Sequence, residues 1–285
     1  MTPHPDSPLA EKFHPSPNHG ARLVGPTDTL ILHYTGMPTA EAALELLATE
    51  RGGVSCHYFV WEDGRIWRLV AEDRRAWHAG KSFWAGETDL NSRSIGIEIV
   101  HPGHPDLSAP PYATFGGCAP FPERQIAAVA ALCQEICQRR HIAPQRVLAH
   151  SDIAPARKID PGETFPWARL AESGVGLWVE PAAIRPGPCL EPGALGPPAA
   201  ALQQMLAAYG YGVDITGVYD EATRNVVAAF QRHFRPALVD GRADASTVET
   251  LLAVLRARDS LQTSAAPGAS QVAILSASAA RSSGP

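Results

Sequence analysis

The sequence predicts an α/β fold: a mixed central sheet flanked by helices, followed by a small C-terminal three-helix bundle. Three observations predict it. Across residues 1–180, short β-rich runs alternate with helical periods, the pattern of a sheet with helices packed on it. Two of those runs are joined through Asp63-Gly64, a strong hairpin signal. After a proline-rich stretch, three helical stripes crowd into residues 199–257.

The elements follow in order. Thr29 to His33 is a short apolar run and reads as a buried strand. Thr39 to Glu50 carries Ala42, Ala43, Leu46 and Leu47 at helical spacing, with Thr39 placed to cap it. His57 to Trp61 and Ile66 to Val70 are the arms of the hairpin. Ser94 to Val100 alternates, with Ile95, Ile97 and Ile99 on one face and Gly96 and Glu98 on the other. Glu123 to Arg140 is a long helix, and Arg146 to Ala149 is a last short strand. Pro181 to Pro198 holds six prolines and no amphipathic period, so it reads as a semi-rigid linker. Beyond it come helices marked by Leu202, Met205, Leu206 and Tyr209, then by Val226, Val227, Phe230 and Phe234, then by Val248, Leu251, Leu252 and Leu255. Asp220 and Asp244 are the expected caps of the second and third. The chain therefore divides into an N-terminal arm (1–22), an α/β domain (23–179), a linker (180–198), a bundle (199–257) and a disordered tail (258–285).

Composition excludes several function classes. The chain has 285 residues, 24 Lys and Arg against 29 Asp and Glu, and a net charge of −5. A mildly acidic surface is poorly suited to nucleic acid. No run approaches the roughly 18 apolar residues of a membrane span. Five cysteines at scattered spacings do not form a disulfide framework. Cys133 and Cys137 share a helix face and read as free thiols. With no basic and then apolar secretory pattern at the start, these cysteines point to a reducing, cytoplasmic compartment.

The polar residues that carry chemistry sit where strands end. His33 closes the first strand and His150 follows the last. Asp160 comes after a loop stiffened by Pro155 and Pro161, and Glu98 is the acid within its alternating strand. Taken singly, each residue has a plain reading: a half-buried histidine, a solvated acid, a surface lysine. Together they match a catalytic zinc, which takes three protein ligands and leaves a fourth position for water. His33, His150 and Asp160 are the candidate ligands for one Zn2+. Glu98, facing away from the isoleucines, could orient and deprotonate the water. Lys158, two residues from Asp160, could stabilise an oxyanion.

The segments His33-Tyr34-Thr35, Ser94-Ile95-Gly96-Ile97-Glu98, His150-Ser151-Asp152-Ile153-Ala154-Pro155 and Arg157-Lys158-Ile159-Asp160-Pro161-Gly162 resemble the type 2 zinc-dependent N-acetylmuramoyl-L-alanine amidases. The resemblance covers about residues 20 to 175. It extends to the fold of peptidoglycan recognition proteins and phage T7-type lysozyme. It implies the same five roles. It also implies the bond cut, the amide joining the lactyl group of N-acetylmuramic acid to L-alanine of the stem peptide. Trp77, His78, Asn91 and Arg157 fall at positions implied to contact substrate. Two positions depart from the pattern: Ala156 stands where relatives commonly have Gly, and Cys56 stands where some carry a catalytic Tyr. The second departure leaves the chemistry to Lys158 and Glu98. Residues 199–257, with Tyr209-Gly210-Tyr211, Thr216 to Asp220 and Ala229-Phe230-Gln231, resemble a three-helix peptidoglycan-binding domain. Its partner, peptidoglycan or muropeptide fragments, would make more sense outside the cytoplasm, so a periplasmic or wall-associated location is the alternative.

Other features are decoys or rivals. His101 and His104 look like a metal pair, but Pro102-Gly103 makes that segment a turn. Cys56 and His57 point to opposite faces and cannot act as nucleophile and base. Trp77 and Trp84 lie in the loop most exposed to ligand. A recognition protein that binds muropeptides without cleaving them is the rival class, and such relatives typically lack a metal ligand. If the chain is an enzyme with an appended wall anchor, truncation after Val179 should spare activity on small soluble muropeptides.

Overall fold

The computed structural model describes residues 6–104 and 118–265. In chain order the first elements are β1 (Lys12–Phe13), β2 (His19–Ala21), β3 (Thr29–Tyr34), α1 (Ala40–Ala48), β4 (Tyr58–Val60), β5 (Ile66–Arg68) and β6 (Arg74–Ala76). Next come α2 (Leu90–Arg93), β7 (Ser94–Ile99), α3 (Glu123–Arg140), β8 (Val147–Ala149), α4 (His150–Ile153) and α5 (Trp167–Glu172). The C-terminal part holds β9 (Cys189–Leu190), α6 (Pro197–Tyr209), α7 (Glu221–Phe234), β10 (Ala243–Asp244) and α8 (Ala245–Ala265).

Among the described residues, the central sheet runs β1-β5-β4-β7-β3-β8. Only the β4–β5 hairpin is antiparallel within it. Gly64 turns that hairpin with φ +89°, a conformation glycine adopts without a Cβ clash.

Alternation along the strands separates two faces. Leu30, Leu32 and Tyr34 of β3, Ile95, Ile97 and Ile99 of β7, and Val147 and Ala149 of β8 pack against Ile126, Val129, Leu132 and Ile136 of α3. The other face carries Ile31, His33, Gly96, Glu98 and Leu148, so the alternating glycine and acid of β7 share a side with His33. Thr39 Oγ1 accepts from Ala42 N, and Asp220 and Asp244 likewise cap α7 and α8.

Several expectations are corrected. Residues 6–22, expected as an N-terminal arm, contribute strands of their own. β1 pairs with β5 and β2 with β6, and Arg22 donates to the carbonyls of Glu72, Asn91, Ser92 and Ser94. The proline-rich stretch is a strap laid along the bundle: β9 pairs with β10, and Ser246 Oγ donates to Ala182 O. Its last two prolines open α6, where a missing N–H costs nothing. Helix α8 runs on to Ala265, into residues expected to be disordered; residues 266–285 of that expected tail lie outside the described residues. On α8, Leu252 is exposed and Val254 takes its place in the core.

The largest difference concerns the bundle. Ile31, Ala79, Trp84, Leu90, Leu148 and Ile153 share one buried cluster with Leu202, Leu206, Tyr209, Tyr211, Phe230 and Phe234. Trp84, expected to meet ligand, is 1% exposed and wedged edge-on against Tyr209 and Tyr211. The bundle therefore covers the β3–β8 side of the sheet. Periodicity marks an apolar stripe but not which surface it will cover, so this docking was not visible in the sequence.

Candidate metal and catalytic site

The register of the parallel strands assembles the site. His33 of β3 is paired directly with Glu98 of β7, and β8 flanks β3 on its other edge. The chain turns into α4 immediately after β8, which holds His150 at the same rim of the sheet. Asp160 returns to the rim where its carbonyl accepts from Ser151 N.

His33 Nδ1 lies 2.9 Å from His150 Nδ1 and 3.2 Å from Asp160 Oδ2, and His150 Nδ1 lies 3.0 Å from that same oxygen. All three residues are buried. A tetrahedral zinc with ligand bonds of about 2.0–2.1 Å has ligand–ligand edges of roughly 3.3–3.4 Å. The observed triangle needs only a few tenths of an ångström of expansion to match. Two imidazoles and one carboxylate are also the donor types of a catalytic zinc.

The electrostatics suit this role. Burial, followed by the neighbouring His150, lowers the His33 pKa to about 4, so the ring is neutral and its lone pair is available. For Asp160, burial pushes the pKa up, but His150 and His33 outweigh it and hold the carboxyl well below its usual range. Burial raises Glu98 well above the usual carboxylate value; the Asp160 charge adds to this and Lys158 opposes it. Glu98 Oε2 has no hydrogen-bond partner among the described residues. An acid with a raised pKa stands closer to the ideal for proton transfer near neutral pH.

A cleft of about 380 Å3 opens over these groups. Glu98, Lys158, His150 and Asp160 line one part of it, and Met37, Leu46, Val54 and Trp77 give it an apolar wall. Arg157 also lines the cleft, but its guanidinium is spent on the carbonyls of Ala79 and Lys81 and clamps that loop. Asn91 stands back from the cleft lining: its Oδ1 accepts from His78 N and Ala79 N and fixes their backbone. His78 borders the cleft but is 7% exposed, and its Nδ1 lies 3.0 Å from His33 Nε2. Of the four expected substrate contacts, then, only Trp77 presents a free side chain to the cleft.

Other residues resolve simply. His101 Nδ1 accepts from Gly103 N, and His104 sits between Tyr34 Oη and Glu163, so the pair serves loop structure. Cys56 is fully buried beside Glu98, and burial pushes its thiol up, away from thiolate chemistry. Sequence reasoning gave no role of its own to Asp152. Its carboxylate caps Ala149 N and accepts from Tyr211 Oη at 2.6 Å, with His233 Nδ1 at 2.7 Å. The short polar-rich turn after β8 was the signal, but its partners lie in the bundle, far along the chain.

Comparisons with known proteins agree with this geometry. Residues 24–163 match the N-acetylmuramoyl-L-alanine amidase family, and residues 196–251 match a peptidoglycan binding domain. The chain is 43% identical over 229 residues to N-acetylmuramoyl-L-alanine amidase AmiD of Escherichia coli K12, covering 76% of this chain and 78% of that one. It is 30% identical over 174 residues to the 1,6-anhydro-N-acetylmuramyl-L-alanine amidase AmpD of Enterobacter cloacae, covering 55% of this chain and 86% of the relative. The structure of E. coli AmiD with the substrate anhydro-N-acetylmuramic acid-L-Ala-D-gamma-Glu-L-Lys superposes with TM-score 0.68 at 39% identity, over 83% of this chain and 91% of that one. AMPDH3 of Pseudomonas aeruginosa in complex with anhydromuramic pentapeptide gives 0.63 at 32% identity, over 84% and 91%. With this extent of identity joined to the buried triad and its neighbouring acid, the chain belongs to the N-acetylmuramoyl-L-alanine amidase family.

Proposed function

We propose that this amidase hydrolyses the amide between the lactyl group of N-acetylmuramic acid and L-alanine of the stem peptide, using one zinc ion held by His33, His150 and Asp160. The observation that supports it best is the convergence of these three lone-pair donors within 3.2 Å of one another, beside an acid with one buried, unpartnered carboxylate oxygen. Zinc, when bound, supplies a Lewis acid that polarises a carbonyl and activates water near neutral pH. Glu98 takes the proton of the attacking water and returns it to the leaving amine. The Lys158 ammonium stabilises the oxyanion that develops on the carbonyl. Trp77 offers an aromatic face to substrate on the apolar wall. Arg157 and Asn91 hold the segment from His78 to Lys81 in place.

Because relatives have been captured with anhydro-muramyl peptides, we take a 1,6-anhydro-muropeptide as the first substrate and intact murein as the second. The bundle would hold the polymer. Five unpaired cysteines favour a cytoplasmic, recycling role, whereas the peptidoglycan binding domain favours the wall side. No helix among the described residues is long and apolar enough to cross a membrane. Fractionation of cells decides between the two: recovery with a cytosolic marker supports the first and release with the periplasm the second.

Mass spectrometry of digests tests the activity. The zinc-loaded protein should release stem peptide with a free L-alanine amine and leave the lactyl carboxylate on the sugar. Glu98→Ala should abolish this. Cleavage at another bond, or undiminished turnover by Glu98→Ala, contradicts the proposal.

A further inference from the structure

Behind His33 lies a chain of hydrogen bonds that leads away from the cleft. His33 Nε2 lies 3.0 Å from His78 Nδ1, and His78 Nε2 lies 3.2 Å from Ser94 Oγ. Ser94 Oγ in turn donates to the carbonyl of Leu90 at the start of α2. Each link constrains the next. A carbonyl only accepts, so the single hydroxyl proton of Ser94 points to Leu90. The Ser94 oxygen must then accept, and the proton it accepts sits on His78 Nε2. A neutral imidazole carries one proton, which leaves His78 Nδ1 as an acceptor facing His33.

The same answer comes from the metal end. His33 turns Nδ1 toward His150 and Asp160. To ligate there it must carry its proton on Nε2, and that proton needs an acceptor. His78 Nδ1 is the atom placed to take it. His150 follows the simpler version of this arrangement, with Nε2 directed at Ala79 O at 3.4 Å.

A packing observation supports this arrangement independently. A Cβ built on Gly96 would come within 2.4 Å of the His78 ring. Gly96 is itself buried, in the interior of β7, where glycine weakens the sheet. Its absent side chain is the space the His78 ring occupies. Asn91 Oδ1 completes the mount by holding His78 N and Ala79 N.

We infer that His78, locked by Ser94 and accommodated by Gly96, is a positioning residue that fixes the tautomer of His33 and keeps its Nδ1 lone pair aimed at the metal. This assigns His78 a place behind the metal rather than the substrate contact expected from sequence. It rests on the reading of His33 as a zinc ligand. Partners of this kind commonly alter metal affinity by about 10- to 100-fold.

The test is a zinc competition titration against a chromophoric chelator, with long-range 1H–15N spectra of the histidine rings of the zinc-loaded full chain. His33 and His78 should both show the Nε2-protonated tautomer. His78→Ala should weaken zinc binding about 10- to 100-fold. Should His78→Ala fail to fold, Ser94→Ala leaves the ring in place and releases only its lock; it should weaken zinc binding and shift the His78 nitrogen signals. Gly96→Ala should weaken zinc binding by displacing the ring without altering a polar group. A His78 that carries its proton on Nδ1, or a folded Ser94→Ala with unchanged zinc affinity and unchanged His33 and His78 signals, overturns the relay. Undiminished zinc binding by His33→Ala would instead overturn the metal reading beneath it, so the two failures are distinguishable.

Discussion

At the scale of single residues, two acids are treated in opposite ways. Glu98 Oε2 is left without a hydrogen-bond partner among the described residues. Glu72, by contrast, is fully buried and gathers Tyr58, Arg139 and Arg140 around one carboxylate. Burial alone would raise its pKa, but Arg139, Arg140 and Tyr58 outweigh that and bring it to about 2, from an ordinary 4.5. A folded pKa below the unfolded one means stability that is fully present above about 4.5 and lost as pH falls toward 2. A shift of this size corresponds to roughly 3 kcal/mol. Glu72→Gln should therefore destabilise the protein near neutral pH, and the gap from wild type should close on acidification. Urea unfolding of both proteins from pH 7 to pH 3 measures this, and parallel stability curves would count against it.

At the scale of elements, the informative junction is α4 with α7. Asp152 lies two residues beyond His150 and binds its own turn on one side and Tyr211 and His233 of the bundle on the other. His233 also stacks on Trp167 with ring centroids 3.8 Å apart. The element carrying a metal-ligand candidate is thus tied to the bundle by buried hydrogen bonds, each worth about 1–3 kcal/mol when one partner is removed. Truncation after Val179 would expose Trp84, Leu148 and Ile153 and strip Asp152 of both bundle partners. We predict that this fragment is insoluble or unfolded, and that Tyr211→Phe in the full chain lowers stability by about 1–3 kcal/mol. A folded, fully active fragment would restore the sequence expectation of an independent anchor. The linker prolines were legible as a break in helical period, whereas the strap they form depends on pairing across Cys189–Leu190 and Ala243–Asp244.

At the scale of the whole molecule, what was legible in the sequence is what local pattern encodes. The alternation of Ser94 to Val100 gave the face of Glu98, and the strand-end positions of His33 and His150 gave the rim where they meet. Helix α3 was bounded correctly because its apolar period and its neighbours agree. Long-range consequences were not legible. These include the reach of Asp152 into the bundle, the burial of Trp84 and the use of Gly96 as space for His78, each of which joins residues distant in sequence through packing alone. The result is one body in which the bundle roofs the sheet and the cleft opens beside α1. The central claim remains the metal triad, and the most direct measurement is the zinc content of purified wild type, Asp160→Ala and Glu98→Ala proteins. One zinc per chain in wild type and Glu98→Ala, with loss in Asp160→Ala, is the predicted result; a full complement of zinc in folded Asp160→Ala would contradict it.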